Sequence, residues 1–153
     1  MDLVVFSLNH QRFALQAAAV ARVVRAVEVT PLPGAPEVVL GLINVGGAVL
    51  PVIGMRRRLG LAGDEGIKVT DEFIIARTSR RSVVLAVDGV QEVISCDRSN
   101  LTKFSNMAGA SEKFEGTVRL ADGLILVHDL ERFLSLEEEK TLEEALARNQ
   151  SSK

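Results

Sequence analysis

The sequence predicts a mainly β protein, built as two similar half-barrels with a helical tail. Three observations predict it. Short segments with an apolar residue at every second position dominate the chain. One pattern of hairpin turn, apolar strand and short helical segment occurs twice. A capping-box signal for a longer helix follows Phe133-Leu134.

Ten segments read as strands: residues 3–8, 12–15, 20–25, 40–45, 48–53, 72–78, 82–87, 90–95, 116–120 and 124–127. Each is rich in Val, Ile, Leu or Phe and is bounded by Gly, Asn, Asp, Ser or Pro. Many short strands with closely spaced turn signals suggest a sandwich or small barrels. Asn9-His10 marks the first hairpin turn. Gly46-Gly47 and Asp122-Gly123 are tight hairpin signals, since both pairs tolerate positive φ. Thr30-Pro31-Leu32-Pro33-Gly34-Ala35-Pro36 reads as a stiff connector, because proline lacks the N–H that a central strand donates. Residues 63–70 and 106–113 read as exposed loops.

The repeated pattern runs from Gly46 to Leu59 and again from Asp122 to Leu134, roughly 75 residues apart and so too far for a common solenoid repeat. It fits two half-barrels, each closed by a short helix. Asp129 can cap its helix with a side-chain oxygen, whereas Gly54, at the matching position, has only its backbone. In the tail, Ser135-Leu136-Glu137-Glu138 has capping-box spacing. Leu136, Leu142, Ala145 and Leu146 can form one apolar stripe, and the glutamates of the first turn suit the positive end of the dipole. A surface helix is expected over residues 136–147, with a frayed end over 149–153.

Composition narrows the function. The 153 residues are 47% hydrophobic and 25% charged, a soluble globular profile, with a formal net charge of -2. That balance argues against binding driven by phosphate neutralisation. No apolar run reaches the roughly 18 residues of a membrane span. The start, Asp2 and then Leu3-Val4-Val5-Phe6, lacks the basic region of a signal peptide, so a cytoplasmic protein without membrane insertion is expected. Cys96 is the single cysteine, which excludes an intrachain disulfide.

Reactive constellations are missing. No Gly-x-Ser-x-Gly elbow, phosphate-cradling loop or CxxC pair is present. His10 reads as a solvated turn residue. His128 adjoins Asp129, but neighbours on a strand point to opposite faces. Asp64 and Glu65 lack calcium-loop spacing. No enzyme, metal site or cofactor is expected. Arg56-Arg57-Arg58 reads first as the solvated side of a short helix and, more sharply, as a salt-bridging patch for an acidic partner. Phe104 and Phe114 read as loop anchors, with partner contact as the alternative.

The ordered series Val4-Val5-Phe6-Ser7-Leu8, Phe13-Ala14-Leu15, Val20-Ala21-Arg22-Val23-Val24 and Thr30 to Pro36 resembles the opening of the CheW family. So do Gly41-Leu42-Ile43-Asn44-Val45-Gly46-Gly47 through Arg56, Val87-Asp88-Gly89-Val90-Gln91-Glu92-Val93, Gly116-Thr117-Val118-Arg119 and Asp129-Leu130. The resemblance implies two SH3-like five-stranded β-barrel subdomains sharing a hydrophobic seam within residues 1–134, and a separate tail over 135–153. It implies a non-enzymatic adaptor without cofactor, joining chemoreceptor cytoplasmic tips to the regulatory domain of a CheA-type histidine kinase. The seam is the expected receptor-facing groove. Val20, Arg22, Val23, Asn44, Gly46, Gly47 and Arg56 are the partner contacts carried over by position.

Three charged positions depart from the family pattern. Arg22 stands where a glutamate is usual, Gly46 where an arginine is usual, and Gly54 where an aspartate is usual. Turn and strand chemistry survive at all three, so the departures bear on partner choice. A module serving a specialised pathway, or competing without coupling, is therefore the alternative. A small β-barrel nucleic-acid binder is the alternative from another class. Bland roles exist too. Either Val20 or Val23 faces core, Asn44 satisfies turn amides, and Gly47 supplies its φ.

Overall fold

A computed structural model describes residues 1–61, 66–103, 114–121 and 123–151. Its strands are β1 (Asp2–Leu8), β2 (Gln11–Gln16), β3 (Val20–Arg25), β4 (Val39–Val45), β5 (Ala48–Gly54), β6 (Glu72–Arg77), β7 (Ser82–Val87), β8 (Gly89–Ser95), β9 (Leu101–Lys103), β10 (Phe114–Leu120) and β11 (Gly123–His128). The helices are α1 (Met55–Arg58) and α2 (Leu136–Ser151), and short 3₁₀ turns cover Ala17–Ala19, Arg98–Asn100 and Leu130–Arg132. All ten expected strands are present, within two residues of their expected ends. The additional strand, β9, has three residues, too few to show a period.

The strands form a five-stranded sheet in the order β3-β6-β7-β5-β4 and a six-stranded sheet in the order β8-β1-β2-β11-β10-β9. These are the two SH3-like subdomains, and β9 gives one of them its sixth strand. The duplicated sequence pattern has a topological counterpart. Strand β5 pairs in parallel with β7 (Ile53 opposite Leu85), and β11 pairs in parallel with β2 (Leu126 opposite Phe13). Every other pairing among the described strands is antiparallel. The repeated segment is thus the strand that closes each sheet on a hairpin from elsewhere in the chain. It runs into α1 in one copy. In the other it runs into a 3₁₀ turn, where Asp129 accepts a hydrogen bond from the Glu131 amide.

Alternation along the central strands separates three cores. Phe73, Ile75, Val84 and Ala86 lie inside the five-stranded subdomain. Leu3, Val5, Ala14, Val118, Ile125 and Val127 lie inside the six-stranded one. The opposite faces of the same strands, with Phe6, Phe13, Leu15, Ile74, Leu85 and Val87, meet in a larger shared core. This is the expected hydrophobic seam. Strands β6 and β7 are buried on both faces, which is why they read as near-continuous apolar runs.

The tail is more than a surface helix. Leu142 and Ala145 are fully buried in the seam, together with Phe133 and Leu134. Leu136 corrects the expected stripe, since it is 73% exposed. The helix also continues to Ser151, past the expected fraying point. The capping box forms as expected. Glu138 N–H donates to Ser135 Oγ at 3.0 Å, and Ser135 N–H donates to Glu138 Oε1 at 2.9 Å. Arg58 adds a forked pair to Glu138 at 2.8 and 2.5 Å, and Arg81 reaches Glu139 at 3.0 Å.

Burial pushes the Glu138 carboxyl up, but the Arg58 guanidinium with the Ser135 amide and hydroxyl outweighs it, and the net shift is downward. A depressed folded-state value adds stability above the unfolded value, and that stability is lost as pH falls through the folded one. Glu138→Gln is therefore expected to flatten the acid limb of stability against pH. Urea unfolding between about pH 3 and 6 checks this, and an unchanged acid limb would contradict it.

Candidate functional site

The seven residues expected to face a partner separate into three places. Val20, Arg22 and Val23 lie on β3, one edge of the five-stranded sheet. Asn44, Gly46 and Gly47 lie at the β4–β5 hairpin, whose strand β4 forms the other edge. Arg56 lies in α1, inside the protein.

On β3 a bulge between Val20 and Arg22 changes the expected facing. Val20 pairs with Ala76, Arg22 with Ile75 and Val23 with Ile74. The extra residue puts Val20 and Val23 on one face although they are three apart. Both pack against the seam core as half-buried residues, so the expectation that only one of them faces core is corrected. Arg22 is exposed.

At the hairpin, Gly46 (φ +58°) and Gly47 (φ +92°) form the two-residue loop between Val45 and Ala48. Positive φ at both positions is the turn that matches strand twist. Asn44 Oδ1 accepts a hydrogen bond from the Gly47 amide at 2.9 Å, so Asn44 and Gly47 have the turn roles expected of them. A side chain at Gly46 would meet nothing within 4 Å. Gly54 differs. Its φ is an ordinary -78°, but a Cβ there would come within 3.1 Å of the Leu40 side chain. Leu40 packs where an aspartate would stand.

Arg56-Arg57-Arg58 is not a solvated face, which corrects the first reading of that run. Arg56 is 6% exposed. It donates to Asp71 at 3.2 Å, to Asp88, and to the Gly66 carbonyl at 3.0 Å. Asp88 also accepts the Asn9 amide at 2.6 Å and donates its own amide to Ser7. The guanidinium therefore links α1 to the β1–β2 hairpin of the other sheet, and it does not present charge outward. Arg57 donates to the Glu37 carbonyl, and Arg58 donates to the Phe133 carbonyl and Glu138.

The seam opens to the surface in a cleft of about 310 Å³ lined by Gln16, Ala18, Ala19, Arg77, Glu115, His128 and Glu131, among others. None of the seven expected contacts lines it. The sequence signal for it was the small-residue run Ala17-Ala18-Ala19, a turn with little side chain to fill the space between sheets. Gln16 Nε2 bridges both Glu115 oxygens at 2.9 Å, and Glu131 accepts from the Ser79 amide and hydroxyl. The rim is polar and the floor, with Leu15 and Leu130, is apolar.

His128 is 2% exposed, between the rings of Phe114 and Phe133 at 5.5 and 4.9 Å. The Asp129 carboxylate caps the turn that follows it. The two neighbours have separate structural roles, because the strand ends at His128 and Asp129 begins the turn, although both line the cleft. Phe114 also stacks on Phe13 at 6.3 Å, which fits loop anchoring. Phe104, Asp64, Glu65, Asp122 and the expected loop over 106–113 lie outside the described residues. Cys96 is half-buried against the core of the six-stranded subdomain. Among the described residues no group of three His, Cys, Asp or Glu side chains could hold a metal ion, and no helix is long and apolar enough to cross a membrane.

Comparison with known proteins matches residues 2–138 to the family model described as the CheW-like domain. The chain is 30% identical over 139 residues to "Chemotaxis protein CheW" of Rhizobium meliloti (strain 1021), covering 90% of this chain and 89% of that protein. It is 29% identical over 147 residues to "Chemotaxis protein CheW" of Thermotoga maritima, covering 95% and 93%. Among solved structures, scaffolding protein TtCheW from Thermoanaerobacter tengcongensis superposes with a TM-score of 0.80 at 30% identity, covering 90% of this chain and 94% of that one.

Proposed function

The chain belongs to the CheW-like domain family, and from that premise we propose that it is a chemotaxis scaffold joining chemoreceptor cytoplasmic tips to the regulatory domain of a CheA-type histidine kinase. The observation that carries this reading is the arrangement of two sheets on one shared core. One rigid body then offers separate outward faces, so two partners held at once are raised in effective concentration for each other. Residues 1–134 supply those faces, and the helix beyond them fastens the sheets together. The seam cleft is the receptor-facing groove, and the β3 and hairpin edges serve the second contact. Work is done in the cytoplasm beside membrane-bound receptors, without catalysis or cofactor. The test is binding of the full chain to the host's kinase regulatory domain and to a receptor tip, singly and together. A ternary complex is expected, and failure to bind any host kinase or receptor overturns the proposal.

Arg22, exposed and without a side-chain partner among the described residues, favours a second reading, in which the module serves a specialised pathway or competes without coupling. Arg22→Glu combined with Gly46→Arg is then expected to raise affinity for a standard kinase or receptor. The hairpin has open space for the arginine, at a backbone cost of about 1 kcal/mol for positive φ. Unchanged affinity in a titration would argue against this reading.

A further inference from the structure

We propose that the outer edge of β3 docks an extended, acidic segment of a partner protein, which joins the five-stranded sheet as an added strand. Among the described strands, β3 ends that sheet and pairs only with β6. Its other edge leaves main-chain donors and acceptors available for a further strand. Arg22 and Arg25 both stand on this strand and are exposed. Among the described residues neither has a hydrogen-bond or ion-pair partner for its side chain, whereas Arg56, Arg58, Arg81 and Arg132 all have carboxylate partners. Glu72 lies opposite Arg25 in the register, but its carboxylate accepts the Val90 amide at 2.9 Å.

The placement of the two arginines decides the shape of the partner. Beyond the bulge the strand alternates normally, so residues three apart point to opposite faces. Arg22 shares the face of Val24, which packs towards the inner core of this subdomain, and Arg25 shares the face of Val23, on the seam side. A helix laid on one face of the sheet would meet one guanidinium. A strand added at the edge sends side chains to both faces and meets both. The matching segment carries two carboxylates at an odd spacing of three, with β-branched residues between them beside Val23 and Val24. Nucleic acid fits less well, because among the described residues Phe6, Phe13, Phe73 and Phe133 are buried and Phe114 is half-buried against Phe13 and His128, which leaves no open stacking platform.

The proposal takes from the adaptor reading only that the partner is a protein. Its test uses the full chain and a labelled peptide, Thr-Glu-Val-Val-Glu-Thr, followed by fluorescence anisotropy at low and high salt. The comparison probes are the same peptide with lysines for glutamates, a version with proline for the second valine, and single-stranded DNA. Expected are salt-sensitive binding of the acidic peptide, a loss of about tenfold for Arg22→Glu and again for Arg25→Glu, and loss of binding for the proline peptide. Equal binding of acidic and basic peptides, indifference to either substitution, indifference to proline, or tighter binding of DNA would each overturn it. Kinase and receptor-tip binding by the unaltered chain reports separately on the adaptor reading.

Discussion

Arg56→Ala is expected to destabilise the protein by about 3–5 kcal/mol, because it leaves buried carboxylate uncompensated. Asp71 is 2% exposed and loses its ion-pair partner, and Asp88 loses the guanidinium that joins it to α1. For a chain of this size the melting temperature should fall by roughly 6–20 °C. Because Asp71 is only costly when charged and alone, Arg56→Ala with Asp71→Ala should cost less than the sum of the single changes. Thermal and urea unfolding of the three variants checks both statements. The result also separates structure from recognition at this position. A stability change within about 0.5 kcal/mol, the range of a surface substitution, together with lost partner binding, would mean that Arg56 acts outward as the family resemblance implied. A large loss of stability means that its charge is used inside.

The second large effect is expected at the tail helix. Leu142→Ala removes a fully buried side chain from the seam core and should cost about 2–5 kcal/mol. Leu136→Ala, in the same helix, should stay within about 0.5 kcal/mol, because Leu136 faces solvent. The contrast matters more than either value. If both changes are mild, α2 is an appendage. If Leu142→Ala alone unfolds the protein early, the helix is a structural member that clamps the two sheets, and it follows that the geometry of the seam cleft depends on it.

The strands were legible because alternation and turn residues are local signals, and both held through ten segments. What escaped was set by distance along the chain or by one inserted residue. Asp71 and Asp88 lie 15 and 32 residues from Arg56, so nothing within the run of three arginines distinguishes the buried one from its neighbours. Val20 and Val23 share a face only because a bulge adds a residue to β3, and a period-two pattern carries no mark of that. Leu136 does not share the apolar stripe, because at about 100° per residue it stands about 120° around the helix from Leu142 and about 180° from Ala145, and so faces solvent. At the candidate site, the hairpin roles of Asn44 and Gly47 could be read from turn chemistry. The cleft left one local trace, the small residues Ala17-Ala18-Ala19, but its walls could not be read, because β2, β10 and β11 come together there from opposite ends of the chain.

That same topology orders events on the ribosome. Every strand of the five-stranded sheet is contained between Val20 and Val87, so this sheet can complete as soon as Val87 clears the exit tunnel. The other sheet cannot. Strand β2 pairs with β11, and at translation rates of about 5–20 residues per second its open edge waits about 2–8 s longer. Until then the nascent chain carries a finished half and a bare apolar hairpin, the interval in which an upstream strand edge is most open to a chaperone or to a wrong partner.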